Sequence, residues 1–270
     1  MNDGAGSRLV VDVLVKPLAE SGVVILGGTA GVGLETAVRF AAEGARVVLL
    51  GRNAERGARA CDACRERQPG ANVSFFAADA VDPAAAIRAE AAARARLGTI
   101  DVLINSSGPS RGPRLLHETP IEEMRPRLEE LLLPPLHMIH AVLPAMRRQR
   151  GGAIVSIASD AAKVATPAET LIGAAMAAIV MFSRAAALEA KREGVRINVL
   201  TPSLIAGTPG AEMIAADPFA AKMFAKAAAL AHLGVADAED LARMAVFLAG
   251  PGGRRITGQT ISINGGISVT

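Results

Sequence analysis

The sequence predicts an α/β fold, a single-domain, doubly wound parallel sheet of about seven strands with helices on both faces. Three observations predict it. Short β-branched runs alternate with longer Ala-rich stretches of helical period. The first of those runs passes straight into a glycine turn that opens an amphipathic helix. Across 270 residues, 51% hydrophobic and 20% charged, no repeat, low-complexity linker or composition break marks a second domain.

The strand "GVVILG" (22–27) comes first, and the helix of 33–43 follows its glycines. "RVVLL" (46–50) precedes a helix at 53–67, and "VSFFA" (73–77) precedes the Ala-rich helix of 83–97. "DVLIN" (101–105) leads to a long helical pattern over 121–149, and "AIVSIA" (153–158) to another over 169–192. "RINVL" (196–200), helical stretches at 210–232 and 238–249, and "TISI" (260–263) complete the alternation. Residues 1–20 read as an N-terminal extension. The segment 203–232 is the least regular, and its Gly207, Pro209, Gly210 and Pro218 mark a mobile flap over the site.

Composition excludes several functions. No uncharged apolar run reaches the roughly 18 residues of a membrane span, since "LIGAAMAAIVMFS" stops at Arg184. The N-terminus carries Asp3 and Asp12 and lacks a basic region followed by an apolar core, so a cytoplasmic protein is expected. A net charge of +3, with basic residues scattered on helix faces and no interleaved aromatics, argues against nucleic acid. The only cysteines, Cys61 and Cys64, form a C-x-x-C without a second pair inside a helical pattern, so no metal or redox site is read there.

Chemistry enters at "GGTAGVGLETAVRFAAEG". Gly27, Gly31 and Gly33 are spaced G-x-x-x-G-x-G, so that the backbone can approach a pyrophosphate while the helix N-terminus presents N–H groups and a favourable dipole. The second strand ends "VVLLGRN". A site choosing NAD commonly places a carboxylate there for the ribose hydroxyls, whereas this chain has Gly51 followed by Arg52. A guanidinium beside a missing carboxylate favours a 2′-phosphate, hence NADP(H) over NAD(H).

Over residues 20–270 the chain resembles the short-chain dehydrogenase/reductase family, whose fold is Rossmann-type. "LGGTAGVG" is similar to that family's T-G-x-x-x-G-x-G, with Leu26 in place of Thr. "AADAVD" resembles the segment whose Asp79 and Ala80 would contact the adenine. "INSSG" resembles the N-N-A-G strand end, with Asn105 and Gly108 kept and Ser106 and Ser107 substituted. "GVRINVLTPS" resembles the strand leading to a Pro-Gly pair, here Pro202 and Ser203, and "ITGQTISINGGIS" the C-terminal strand and tail. The resemblance implies a dinucleotide held by Gly27, Thr29, Gly31, Val32, Gly33, Arg52, Asn53, Asp79, Ala80, Asn105, Ser107, Gly108, Pro202, Ile205 and Thr208.

The family's chemistry uses a Ser after the fifth strand, a Tyr-x-x-x-Lys on the next helix and usually an Asn on the helix before. Ser159 matches the Ser, and is the one catalytic residue the resemblance carries over. The family spacing places Ile172 at the Tyr position, Met176 at the Lys position and Leu131 at the Asn position. The chain contains no Tyr at all, so no shift of register recovers a phenol. Asp160, and Glu169 one turn before Ile172, are carboxyls near Ser159 that could donate a proton, with orientation to solvent the alternative for both. His137 and His140 read as helix-packing residues, and His117 and His232 are uninformative.

Two functions follow from these substitutions. One is an NADP(H)-dependent oxidoreductase with altered proton handling, reducing a small molecule with an activated C=C or other conjugated acceptor. "TPSLIAGTPGAEM" supports it by resembling the flap of 2,4-dienoyl-CoA reductases, family members without the Tyr, although those keep the Lys that Met176 replaces. The other is a catalytically silent nucleotide-binding subunit or NADP(H) sensor that pairs with an active homologue. The apolar "LIGAAMAAIVMF" helix predicts a homodimer or homotetramer, or a hetero-oligomer, packed through the 121–149 and 169–192 helices.

Overall fold

The computed structural model describes residues 15–270, so Asp3, Asp12 and most of the expected N-terminal extension lie outside the described residues. Seven parallel strands form one sheet in the order β3-β2-β1-β4-β5-β6-β7. They are β1 (Gly22–Leu26), β2 (Arg46–Gly51), β3 (Val73–Ala77), β4 (Val102–Asn105), β5 (Gly152–Ile157), β6 (Val195–Pro202) and β7 (Thr260–Ile263). The crossover helices are α1 (Gly31–Ala42), α2 (Ala54–Arg67), α3 (Pro83–Leu97), α4 (Ile121–Arg148) and α5 (Thr170–Ala190). The chain closes through α6 (Pro209–Ala216), α7 (Pro218–Ala228) and α8 (Ala238–Ala249).

Side-chain alternation in the strands explains the two layers of helices. Val23 and Ile25 of β1 face a core shared with α1, α2 and α8, whereas Val24 and Leu26 face the core of α3, α4 and α5. Every β1 residue is buried, because both faces are covered. The strand order reverses between β1 and β4, and a crevice opens there at the carboxyl ends of the strands.

Helix starts follow their side chains. Asp82 caps α3 by accepting from Ala84 N and Ala85 N, with Pro83 in the first turn. Asp237 and Asp240 form a reciprocal capping box on α8. The carboxyl end of α8 is held by the buried Arg196 of β6, whose guanidinium donates to the carbonyls of Leu248, Ala249 and Gly253. Burial lowers that guanidinium to about 10.

The expected helix over 210–232 divides at Asp217 into α6 and α7. Asp217 Oδ1 accepts from Ala220 N at 2.7 Å, and Pro218 cannot donate back into the preceding turn, so a second helix starts there. The first strand ends one residue short of expectation, at Leu26, because Gly27 turns out of the sheet with φ 76°. β6 extends to Pro202 because Val199–Pro202 pair with β7. The segment Thr170–Glu193 is, by length and composition, long and apolar enough to cross a membrane, once an average rather than an uncharged run is required. Half of its most apolar window is buried in the fold, as for a core helix packed on a sheet.

Candidate active site

A cleft of about 640 Å³ occupies the crevice. The glycine turn forms one end of it, and Ser159, Glu169, Ile172 and Met176 form the other, with residues of α6 and α7 along one side.

The turn is tight for a steric reason. A Cβ on Gly27 would lie 2.6 Å from the carbonyl oxygen of Ser106, and one on Gly33 would collide with the carbonyl oxygen of Gly27. Gly31 has φ 49° and lies under Thr208 and Pro209, which a Cβ there would meet at 3.5 Å. Backbone is therefore exposed to the cleft at the N-terminus of α1, which suits the pyrophosphate of a dinucleotide. Gly27, Thr29, Gly31, Val32, Arg52, Asp79, Ala80, Ser107, Gly108, Pro202, Ile205 and Thr208 all line the cleft.

Three residues of the expected set do not line it. Gly33 packs against the turn. Asn53 caps α2 by accepting from Arg56 N at 2.8 Å. Asn105 is buried and donates to Ser156 Oγ at 3.1 Å, leaving its Oδ1 without a partner.

At the end of β2, Arg52 points along the cleft mouth with its side chain 55% exposed, and its Nη2 lies 3.6 Å from Glu130 Oε1 of α4. Ser110 donates to the other carboxylate oxygen of Glu130 at 2.8 Å. Arg56, in the first turn of α2, also lines the cleft. Gly51 leaves room here, because a Cβ would already meet Thr29 Cγ2 at 3.3 Å.

At the opposite end, Ser159 caps a 3-10 turn (Asp160–Ala162) and its Oγ accepts from Ala161 N at 3.2 Å. With that lone pair used, the hydroxyl proton is available to a substrate oxygen. Ile172 and Met176 form this wall of the cleft, and pack with Leu131 and Ala158 in a small apolar cluster. Leu131 itself lies behind the wall. Gly173 lets α5 approach the turn closely, since a Cβ there would lie 2.9 Å from the carbonyl oxygen of Ala161.

The structure separates the two candidate carboxyls near Ser159, and neither simply faces solvent. Asp160 is buried and turned away from the main cleft, accepting from Asn264 Nδ2 at 2.9 Å and from the Ser268 hydroxyl, with Lys163 3.5 Å away. It anchors the C-terminal tail. Glu169 is half-buried on the cleft wall, and desolvation alone raises its carboxyl to about 7.

Other expectations resolve by burial. His137 is half-buried and its Nδ1 lies 2.9 Å from the carbonyl oxygen of Ala80, whereas His140 is exposed and does not pack as expected, because its face of α4 points outward. Cys61 and Cys64 are free and buried, and burial raises both thiols, which makes them poor nucleophiles.

A parallel sheet with a glycine turn at its switch point and a cleft reaching across the strand ends from β3 to β6 is the arrangement of the doubly wound dinucleotide-binding class. A family model described as enoyl-(acyl carrier protein) reductase matches residues 27–268. The chain is 30% identical to a 3-oxoacyl-(acyl-carrier-protein) reductase of Chlamydia trachomatis over 93% of this chain and 98% of that protein. It is 34% identical to momilactone A synthase of Oryza sativa subsp. japonica, over 91% of this chain and 89% of that one. Among solved structures, levodione reductase superposes with a TM-score of 0.85 at 28% identity, over 92% of this chain and 97% of that one. An actinorhodin polyketide ketoreductase solved with NADPH superposes at 0.83 and 27% identity, over 92% and 98%. The chain belongs to the short-chain dehydrogenase/reductase family.

Proposed function

We propose that this protein is an NADP(H)-binding oxidoreductase that acts on a small molecule whose hydride acceptor, an activated C=C or another conjugated group, is polarised by its own conjugation. The observation that carries the reading is a continuous cleft lined at one part by the glycine turn and at another by a serine, a carboxyl and two aliphatic or thioether side chains, but no phenol.

The glycine turn and the N-terminus of α1 would hold the pyrophosphate. Asp79, whose Oδ1 accepts from Val81 N at 3.2 Å, stands where the adenine would lie. Arg52 favours NADP(H) because its guanidinium is placed to meet a 2′-phosphate, displacing Glu130. The nicotinamide ring, when bound, supplies or accepts hydride. Ser159 offers its hydroxyl proton to the substrate oxygen and steadies negative charge developing there. Ile172, Met176 and Met213 make the remaining walls apolar, which suits an extended conjugated substrate and excludes water.

The protein is further proposed to work as a homodimer or homotetramer. Ala174, Met181, Phe182, Ala185 and Leu188 form an exposed apolar stripe along α5.

The experiment is NADPH consumption against two panels, simple ketones and conjugated enoyl or dienoyl thioesters, with NADPH binding measured in parallel. Turnover confined to the conjugated panel is the expected result. Brisk reduction of simple ketones would refute the substrate assignment.

A further inference from the structure

We infer that Glu169 is the proton donor of this cleft, completing reduction of the conjugated acceptor by protonating the enolate that hydride transfer leaves. The inference rests on the oxidoreductase reading above and specifies how that chemistry is completed.

Placement is the first argument. Glu169 immediately precedes α5 and lies one turn ahead of Ile172, on the wall it shares with Ser159. A smaller adjoining pocket is also lined by both Ser159 and Glu169, so the two side chains border the same two spaces. Gly173 permits the close approach of α5 to the Ser159 turn that brings them together.

The second argument is how the backbone is set. Ala168, directly before Glu169, is a buried non-glycine residue with φ 64°, a left-handed conformation unfavourable for an L side chain. Its carbonyl accepts from Arg114 N at 2.9 Å, which ties this strained corner to the loop on the far side of the cleft. Next to this corner, Glu169 makes no capping bond to α5 and lines the cleft instead.

The third argument is the electrostatic setting. The charged groups on neighbouring elements are engaged elsewhere. Asp160 and Lys163 pair with each other and with the C-terminal tail. Arg111 and Arg114 face Glu123, Glu130 faces Arg52, and the buried Arg127 donates to the carbonyl oxygen of Gly112. The α6–α7 side of the two pockets presents Met213, Ile214, Met223 and Phe224, without charge. Burial is the one cause of the raised carboxyl, with no compensating cation, so it is held close to half-protonated near neutral pH.

The proton step balances within the proposed reaction. Hydride addition to the conjugated acceptor leaves an electron pair on it, as an enolate. The O–H bond of Glu169 breaks as a C–H bond forms at the enolate carbon, and the resulting carboxylate takes a proton back from solvent through the cleft mouth. The reverse direction uses the same carboxylate as base.

The test has two arms. In the first, glutamate carboxyls are labelled with ¹³C and titrated by NMR in the full-length protein. One resonance should titrate near 7 and be missing from E169Q, and absence of such a resonance would overturn the proposal. In the second, conjugated-thioester reduction by the wild type should fall as pH rises through about 7. E169Q should lose activity by about 10² to 10⁴-fold together with that pH limb. E169A should be partly rescued by added formate, which a merely structural role does not predict. Wild-type turnover with an E169Q variant of similar rate and pH profile overturns the proposal and leaves the oxidoreductase reading standing. A wild type that binds NADPH but reduces no acceptor overturns the oxidoreductase reading, and this proposal with it.

Discussion

Arg52 Nη2 and Glu130 Oε1 stand 3.6 Å apart across the cleft mouth, joining the end of β2 to the middle of α4. The pair is largely solvated on the arginine side, so it contributes at most about 1 kcal/mol and yields to a stronger anion. A 2′-phosphate offers Arg52 a bidentate, doubly charged partner in place of one carboxylate oxygen.

Nucleotide choice is therefore the first expectation. NADPH should bind more tightly than NADH, and R52A should remove most of the difference. E130Q, which frees Arg52 and removes a competing negative charge, should tighten NADPH and leave NADH almost unchanged. Fluorescence titration measures all of these, and equal dissociation constants for the two nucleotides in the wild type would contradict the assignment.

Glu169 predicts a pH dependence of stability whose sign follows from its burial. Its folded value of about 7 lies above the ordinary 4.5, so between those values the folded state binds more protons than the unfolded state. Stability relative to a neutral side chain is fully present below about 4.5, falls as pH rises towards 7, and is flat above it. E169Q should therefore gain on the wild type across that window and keep its advantage at pH 8, read as the gap between the two Tm values. A gap that does not change with pH would show that Glu169 ionises normally.

Ile172 and Met176 line the cleft one turn apart on α5, on the same wall as Ser159. I172Y combined with M176K should raise simple-ketone reduction from near zero to a weak but measurable rate. Both sites are buried, at 7% and 4% exposure, so the double variant should also unfold at lower denaturant concentration. No gain in ketone turnover by a folded double variant would argue that the geometry of this wall is wrong for a phenol.

Assembly should depend on α5. Met181 and Leu188 are 62% and 66% exposed on a helix whose other side is core. M181E with L188E should shift the protein from dimer or tetramer to monomer, read by light scattering at micromolar concentration. A wild type that is already monomeric would refute the proposed interface.

The sheet was legible from the sequence because its signals are local. β-branched runs, helical periods and the glycine turn are each specified by neighbours a few residues apart, and the strand at 73–77 and the helix at 83–97 lie where the pattern puts them. The end of the flap helix at Asp217 was also written in the sequence, as Asp followed by Pro, but was absorbed into a longer helical stretch. The lack of Tyr was decided by composition alone. What the sequence could not state was which carboxyl near Ser159 faces the cleft. Asp160 and Glu169 are equally polar on paper, and residue type alone leaves open whether either faces the cleft or solvent. Tertiary contacts separate them: the C-terminal tail, more than a hundred residues away, supplies Asn264 and Ser268 to Asp160, while the loop carrying Arg114 anchors the strained corner at Ala168 beside Glu169. Burial without a partner, which raises the Glu169 carboxyl, is a property of the space that distant segments enclose, and local patterns of residue type do not encode it.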